Sequence, residues 1–387
     1  MIKKDLYAED GVNVEAGDAF SAIAGRVCRD SFKNSPHVKV YDLSDGYFRG
    51  VRGFRFHHLP RGYMFDMTSD GDGSKVILNA MAGNYEFAAY DLLAMCGMDV
   101  TRNGGMGLVF NNVLDVSSLG EDGSSIRAAF IRLITGLSRA AKSVGAVCFR
   151  GETAELGVCV GSENPDSGVK FNWSASMLGV YHKSKMITGN TIAPGMKIIA
   201  LKENGFRANG ISSVRKALAN KFGARWWEDE MAMPYIRAAA TPSVLYDPFL
   251  QAINGWSTPS FEQQIKVHGL IHLSGGAFEG KLGHDILFPR GLSAVLDNLW
   301  DPPKIMKQCA EWRGMGDYDI YKTWNGGQGA LAIVSPEDVE GFLYIADEGY
   351  GIEAQVCGKI TKTAGFKPQI QIASQFDKDV MVVYMAP

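Results

Sequence analysis

The 387-residue chain reads as an α+β protein of two mixed domains, and three observations lead there. The length exceeds what one compact core usually holds. Strand-like alternation and helix-like stripes are mixed in both halves rather than segregated. Between the halves, His182-Lys-Ser-Lys185 and Thr188-Gly-Asn-Thr-Ile-Ala-Pro-Gly195 turn polar with proline and glycine, a composition that breaks regular structure. The expected domains are therefore 1–186 and 187–387.

In the first half, Ala16, Ala19, Phe20, Ile23, Ala24, Val27 and Cys28 form an apolar stripe that predicts a helix over 15–30. The glycine-rich stretch Gly46–Phe54 cannot be helical. Strands are expected over 62–67 and 75–79, a helix near 84–96 and a strand over 107–115. The clearest helix carries Ile126, Phe130, Leu133, Ile134, Leu137, Ala141 and Val144, and a short strand at 146–149 precedes Gly151-Glu-Thr-Ala-Glu155. In the second half, the pattern predicts strands at 197–201, 293–296, 329–334 and 354–360. Helices are expected from Ile211, near 303–312 and over 336–347.

Composition narrows the function classes. The net charge of −3 supplies no basic surplus for nucleic acid or an anionic membrane. No apolar run reaches membrane-spanning length, and Met1–Leu6 has no apolar signal core. Cys28, Cys96, Cys148, Cys159, Cys309 and Cys357 show no CxxC or metal-ligand spacing, as expected of reduced thiols in a cytoplasmic protein.

Several segments carry candidate chemistry. Thr68-Ser-Asp-Gly-Asp-Gly-Ser-Lys75 combines carboxylates, glycines and a lysine. Alone it favours a hairpin turn over a phosphate-metal loop, and its spacing is not that of a P-loop. Asp99 ends an apolar run, where a carboxylate needs a partner. Glu152 and Glu155 follow a short strand. Such acids beside a lysine suit a Mg²⁺-nucleotide site, because Mg²⁺ takes one or two carboxylates with phosphate oxygens. Asn204–Gly210 opens a helix whose free N–H groups and Arg207 could hold phosphate, or it is an ordinary turn. His272, before Ser274-Gly-Gly276, is a site residue or a core histidine. His57-His58 with Arg52 and Arg55 reads as a solvated basic turn.

Seven segments in order resemble aminoimidazole ribonucleotide synthetase, also called phosphoribosylformylglycinamidine cyclo-ligase, over nearly the whole chain. They are Tyr7–Ala19 (YAEDGVNVEAGDA), Ser69–Lys75 (SDGDGSK), Asp91–Asp99 (DLLAMCGMD), Gly151–Leu156 (GETAEL), Asn209–Lys216 (NGISSVRK), Ile271–Gly276 (IHLSGG) and Tyr321–Gly329 (YKTWNGGQG). The resemblance implies ATP-dependent closure of formylglycinamidine ribonucleotide to aminoimidazole ribonucleotide through a phosphorylated amide, with ADP and phosphate released. It implies a cytoplasmic homodimer that pairs its N-terminal sheets, with ATP and dimerisation functions in 1–186 and a substrate side of synthetase-superfamily type in 187–387.

Carried over by position, Asp70, Lys75, Asp99 and His272 would be catalytic, and Asp70, Asp99 and Glu152 would hold Mg²⁺. Ser69, Gly71, Gly73, Ser74, Glu152 and Thr153 would bind ATP. Arg207, Asn209, Gly210, Ser274, Gly275 and Gly276 would bind substrate. Sibling enzymes of the same fold are the alternative: selenophosphate synthetase, thiamine-monophosphate kinase or the hydrogenase-maturation type. A nucleotide-binding homologue without turnover is another.

Several positions depart from the family pattern. Arg207 replaces its histidine, a permanent cation that cannot serve as general base. Asn112 replaces an aspartate, Arg150 a glycine and Asp72 a valine, and Gly104–Gly107 lacks a carboxylate.

Overall fold

The structure, a computed structural model, describes residues 14–43, 51–363, 365 and 367–387. The segments Tyr7–Asn13 and Gly46–Gly50 singled out above lie outside the described residues. One compact unit runs to Cys96 and resumes from Gly107 to Val180; the other holds Gly97–Met106 and Tyr181–Pro387. The helix Ala88–Thr101 therefore gives its last five residues to the second unit.

In the first unit a four-stranded sheet has the order β3-β6-β4-β5, with β3 Tyr63–Gly71, β4 Met106–Val116, β5 Val147–Glu155 and β6 Phe171–His182. A separate hairpin pairs β1 Val38–Leu43 with β2 Val51–Phe56. β4 and β5 are parallel, so they need a crossover. The helix Ser125–Ser143 supplies it and buries Leu133, Ile134, Leu137 and Ala141, the expected stripe. Its N-cap Ser124 accepts from the Arg127 amide, a bond that satisfies one orphan donor of the first turn. The helix Val14–Ser31 packs on this helix and on β5.

Three first-unit expectations change. Residues 75–79 begin a helix, Lys75–Ala82, not a strand. A short buried apolar run has no period that separates the two states, and Gly83 closes the helix in a left-handed conformation. The turn at 72–74 thus joins strand to helix rather than two strands. Glu152 and Glu155 lie within β5 instead of beyond it.

The second unit holds a seven-stranded sheet, order β13-β12-β9-β11-β7-β10-β8. Its strands are β7 Lys197–Lys202, β8 Val267–His272, β9 Leu292–Leu296, β10 Gln328–Val334, β11 Ala354–Lys362, β12 Gln369–Ala373 and β13 Met381–Met385. Every pairing in it is antiparallel except β12 with β9. Successive side chains alternate faces. Ile198, Ala200, Leu331 and Ile333 enter one core with Phe278 and Leu287, while Ile199, Leu201, Ala330 and Ala332 enter another with Phe249 and Phe342. With both faces covered, Ile198–Leu201 of β7 and Ala330–Val334 of β10 are continuously apolar. The expected helix over 336–347 divides into three helical segments within 336–349.

Candidate functional site

The turn after β3 concentrates charge in the first unit. Lys75 Nζ donates to Asp91 Oδ1 at 2.7 Å with both side chains fully buried, and Asn79 Nδ2 reaches Asp91 Oδ2 at 3.2 Å. Asp72 is also fully buried, and neither of its carboxyl oxygens has a hydrogen-bond partner. Burial, then the Asp91 charge, pushes its carboxyl well above the usual range, with Lys75 opposing. Asp70 is half-buried and accepts from the Gly71 amide at 2.7 Å.

The glycines here have different causes. A Cβ on Gly71 would lie 2.8 Å from the Trp173 carbonyl, so close packing on β6 requires glycine. Gly73 adopts φ 53°, which suits its turn. Ser69 pairs hydroxyls with Ser176 at 2.8 Å. The Ser74 side chain makes no cap bond.

Also in the first unit, a cavity of about 590 Å³ is walled by the helices Val14–Ser31 and Ser125–Ser143 and by β4 and β5. Glu152 and Thr153 line it with Arg52, Arg150, Asn111 and Asn112. Glu155 is excluded from that role, because its Oε1 accepts from the Leu119 amide at 2.6 Å.

In the second unit, Asp99 sits in the last turn of its helix, inside it rather than past its end. It pairs with Arg102 at 3.4 Å and faces His272 Nδ1 at 3.9 Å, a charge contact too long for a hydrogen bond. Burial raises the Asp99 carboxyl, yet His272, Arg102 and Lys281 together hold it below its ordinary value. His272 ends β8 fully buried, and neither ring nitrogen is hydrogen-bonded. Burial lowers it to about 4 against the opposing Asp99, so the imidazole is neutral at pH 7.

Arg207 does not reach the surface, which corrects its reading as a phosphate grip. Its fully buried guanidinium pairs with buried Glu203 at 2.9 Å, donates to the Val244 carbonyl and lies over the Tyr246 ring. A side chain consumed in that way holds the turn together. Arg207 and Ala277 also adopt positive φ, 55° and 35°, which is uncommon for residues with a Cβ. Each lies in one of the two predicted glycine turns. Those turns meet: a Cβ on Gly275 would touch Asn209 Oδ1 at 3.6 Å. Gly210, at φ 68°, caps the helix Ile211–Phe222 against Trp324. Ser274 is half-buried, and Gly275 and Gly276 are exposed.

Among the described residues no group of three or more His, Cys, Asp or Glu is placed to hold a metal, and Asp99 belongs to the second unit while Asp70 and Glu152 belong to the first. Sequence reasoning assigned no role to Asp91 or Asp247. Asp91 opens the quoted Asp91–Asp99 segment, a usable signal. Asp247 is fully buried, accepts from Thr101 Oγ1 at 2.6 Å, and is raised by burial to about 6. Before Pro248 at a helix start it looks like an ordinary first-turn acid.

Known proteins bear on this geometry. The family "AIR synthase related protein, C-terminal domain" matches residues 193–371. The phosphoribosylformylglycinamidine cyclo-ligase of Oceanobacillus iheyensis is 29% identical over 364 residues, covering 93% of this chain and 98% of that protein. The enzyme of that name from Methanococcus vannielii is 26% identical over 384 residues, 97% and 96% of the two chains. Among solved structures, thiamine-monophosphate kinase from Stenotrophomonas maltophilia has a TM-score of 0.56 at 14% identity, covering 90% of this chain and 95% of that one. Escherichia coli HypE, a hydrogenase maturation protein, has 0.55 at 13%, covering 94% and 95%. At those identities the two structures show the shared fold alone. With its motifs in family order and its length matched end to end by cyclo-ligases, the chain is similar over nearly its whole length to the aminoimidazole ribonucleotide synthetases.

Proposed function

We propose that this protein is an ATP-dependent cyclo-ligase that converts formylglycinamidine ribonucleotide to aminoimidazole ribonucleotide, releasing ADP and phosphate. The observation that carries this is the end-to-end similarity to enzymes named for that activity. The chemistry is phosphoryl transfer to the amide oxygen, then attack by a substrate nitrogen to close the ring. In such transfers a protein contributes mainly position and charge neutralisation.

In this reading residues 1–186 bind ATP and form the dimer, and 187–387 bind substrate. Ser69, Gly73, Ser74, Glu152 and Thr153 contact the nucleotide, the last two from the cavity wall. Lys75 is reassigned: its ammonium balances Asp91 within the turn instead of gripping phosphate. Mg²⁺ fits the turn on one observation, the buried Asp72 carboxyl whose two oxygens lack partners. Asp70 and Asp72 would hold it, and Glu152 would serve the nucleotide without it. Bound there, the ion would neutralise phosphate charge. Asp99, committed to Arg102 and facing His272, is not assigned to it.

Asn209, Gly210 and Ser274–Gly276 form the substrate loop, and the neutral His272 imidazole offers it a hydrogen bond. Tyr63, Met64, Phe65 and Met67 on β3 are 39–61% exposed, which supports a homodimer paired through this sheet. A cytoplasmic location accompanies the reaction's soluble substrates.

The test is ADP release with formylglycinamidine ribonucleotide, ATP and Mg²⁺. ATP binding without ADP release there, but with release on thiamine monophosphate or selenide, would assign the chain to a sibling activity. Asp70→Asn should abolish turnover while circular dichroism is unchanged; full turnover would remove Asp70 from the site.

A further inference from the structure

Two thiols given no role above meet beside the first-unit cavity. Cys28, in the last turns of the helix Val14–Ser31, lines that cavity. Its Sγ lies 3.4 Å from Cys148 Sγ at the start of β5, and both residues are buried. The two backbones are already joined through Ser31, whose hydroxyl lies 2.7 Å from the Cys28 carbonyl and accepts from the Cys148 amide at 2.8 Å. A disulfide needs a sulfur separation of about 2.05 Å, so bond formation draws the two sulfurs closer than they now lie. Arg52 lines the same cavity, its guanidinium tied to Asp42 at 3.2 Å.

The geometry points to an oxidative modification site: a hydroperoxide entering the cavity converts the Cys28 and Cys148 thiols to a disulfide. The asymmetry of the pair sets the order of events. The hydrogen bond from Cys148 draws the Cys28 thiol below its ordinary value, with Arg52 and Arg29 adding and burial opposing. That same bond and burial push Cys148 well above its own. The thiolate is the nucleophile, so Cys28 attacks.

In the first step Cys28 sulfur bonds to the outer peroxide oxygen, the O–O bond breaks, and the leaving alkoxide takes the thiol proton. Cys28 sulfenic acid and an alcohol, or water from hydrogen peroxide, result. In the second step Cys148 sulfur attacks Cys28 sulfur, the S–O bond breaks, and hydroxide leaves with the Cys148 proton as water. The two thiols lose two electrons and the peroxide gains them. The product ties the helix end to β5 just ahead of Arg150–Thr153, which line the cavity. Lower nucleotide affinity is the expected consequence. That clause alone rests on the proposed nucleotide role of the cavity.

The experiment treats the reduced full-length protein with graded hydrogen peroxide, alkylates the remaining thiols with N-ethylmaleimide after unfolding, and maps peptides by mass spectrometry. The expected result is a cross-linked Cys28–Cys148 peptide pair lighter by two hydrogens and restored by dithiothreitol. Cys148→Ser should stop at a Cys28 adduct with dimedone. Cys28→Ser should leave Cys148 alkylatable at the same peroxide dose. Oxidation confined to exposed Cys159, with Cys28 and Cys148 both still alkylated in the wild type, overturns the proposal whatever the variants do. ATP titration of the reduced and oxidised protein separates the two readings. If neither form binds ATP while the disulfide forms, the nucleotide assignment fails and the modification site stands.

Discussion

Two strand-to-helix turns of this molecule handle charge in opposite ways. After β3, the turn Asp72–Ser74 places Asp72 and Lys75 fully inside, and Lys75 is balanced by Asp91. After β8, the turn Ser274–Ala277 carries no charge and leaves Gly275 and Gly276 exposed, with a neutral histidine buried behind it. The first turn is held by electrostatics that need every partner, the second by backbone geometry that needs glycine. The difference teaches that a lysine or aspartate in a glycine-rich motif is not by that fact a ligand contact. Burial decides whether the charge meets a ligand or another side chain.

The largest expected effect comes from removing one charge of a buried pair. Lys75→Met strands Asp91 and should cost about 3–5 kcal/mol in urea denaturation. Arg207→Leu strands Glu203 and should cost a similar amount, about 3–5 kcal/mol. If Arg207→Leu instead raises only the KM for the ribonucleotide at unchanged stability, the guanidinium faces ligand and is not consumed by Glu203.

Next are two pH effects of opposite sign within the second unit. The His272 value falls from 6.5 to about 4 on folding, so the unfolded chain takes the proton first. Stability contributed by His272 is present above pH 6.5 and lost as pH falls toward 4, about 3 kcal/mol in all. The Asp247 value rises from 3.8 to about 6. Its contribution is present below pH 3.8 and lost as pH rises through 6, again about 3 kcal/mol. Relative to the wild type, His272→Asn should therefore gain in Tm at pH 5 compared with pH 7, and Asp247→Asn should gain at pH 7 compared with pH 5. Parallel shifts in both variants would show that one of the two groups is not buried as described.

The smallest effects separate glycines required by backbone from those open to ligand. Gly210→Ala forces a Cβ to 2.4 Å from Trp324 Cδ1 at positive φ, a strain of about 1–3 kcal/mol. Gly275→Ala meets only an ordinary 3.6 Å contact with Asn209 Oδ1, so stability should move by less than about 0.5 kcal/mol. A raised substrate KM in Gly275→Ala at unchanged Tm would sharpen the assignment of this loop. An unchanged KM would remove it.

Much of the fold was legible in the pattern of residues. The helices Val14–Ser31 and Ser125–Ser143 carry apolar stripes with a helical period, and β10 is an apolar run bounded by turn residues. The segment Lys75–Ala82 was not legible, because an eight-residue buried run carries no distinguishing period. Gly97–Met106 also escaped: a ten-residue piece of the first half that belongs with the second unit is a long-range fact. For the candidate site, the motif order located Asp70, Asp99, His272 and the glycine turns. It could not tell which charges face inward.

Residue types and their spacing, by themselves, determined the α+β class, the resemblance to the cyclo-ligases and the positions of both glycine turns, since period, punctuation and motif order are local properties. Only the tertiary structure decided that Lys75 and Arg207 neutralise buried carboxylates, that Asp72 and His272 are buried without hydrogen-bond partners, and that Cys28 meets Cys148. Each depends on what lies within a few ångströms through space. A charge removed from water is governed by those neighbours and not by its neighbours in the chain.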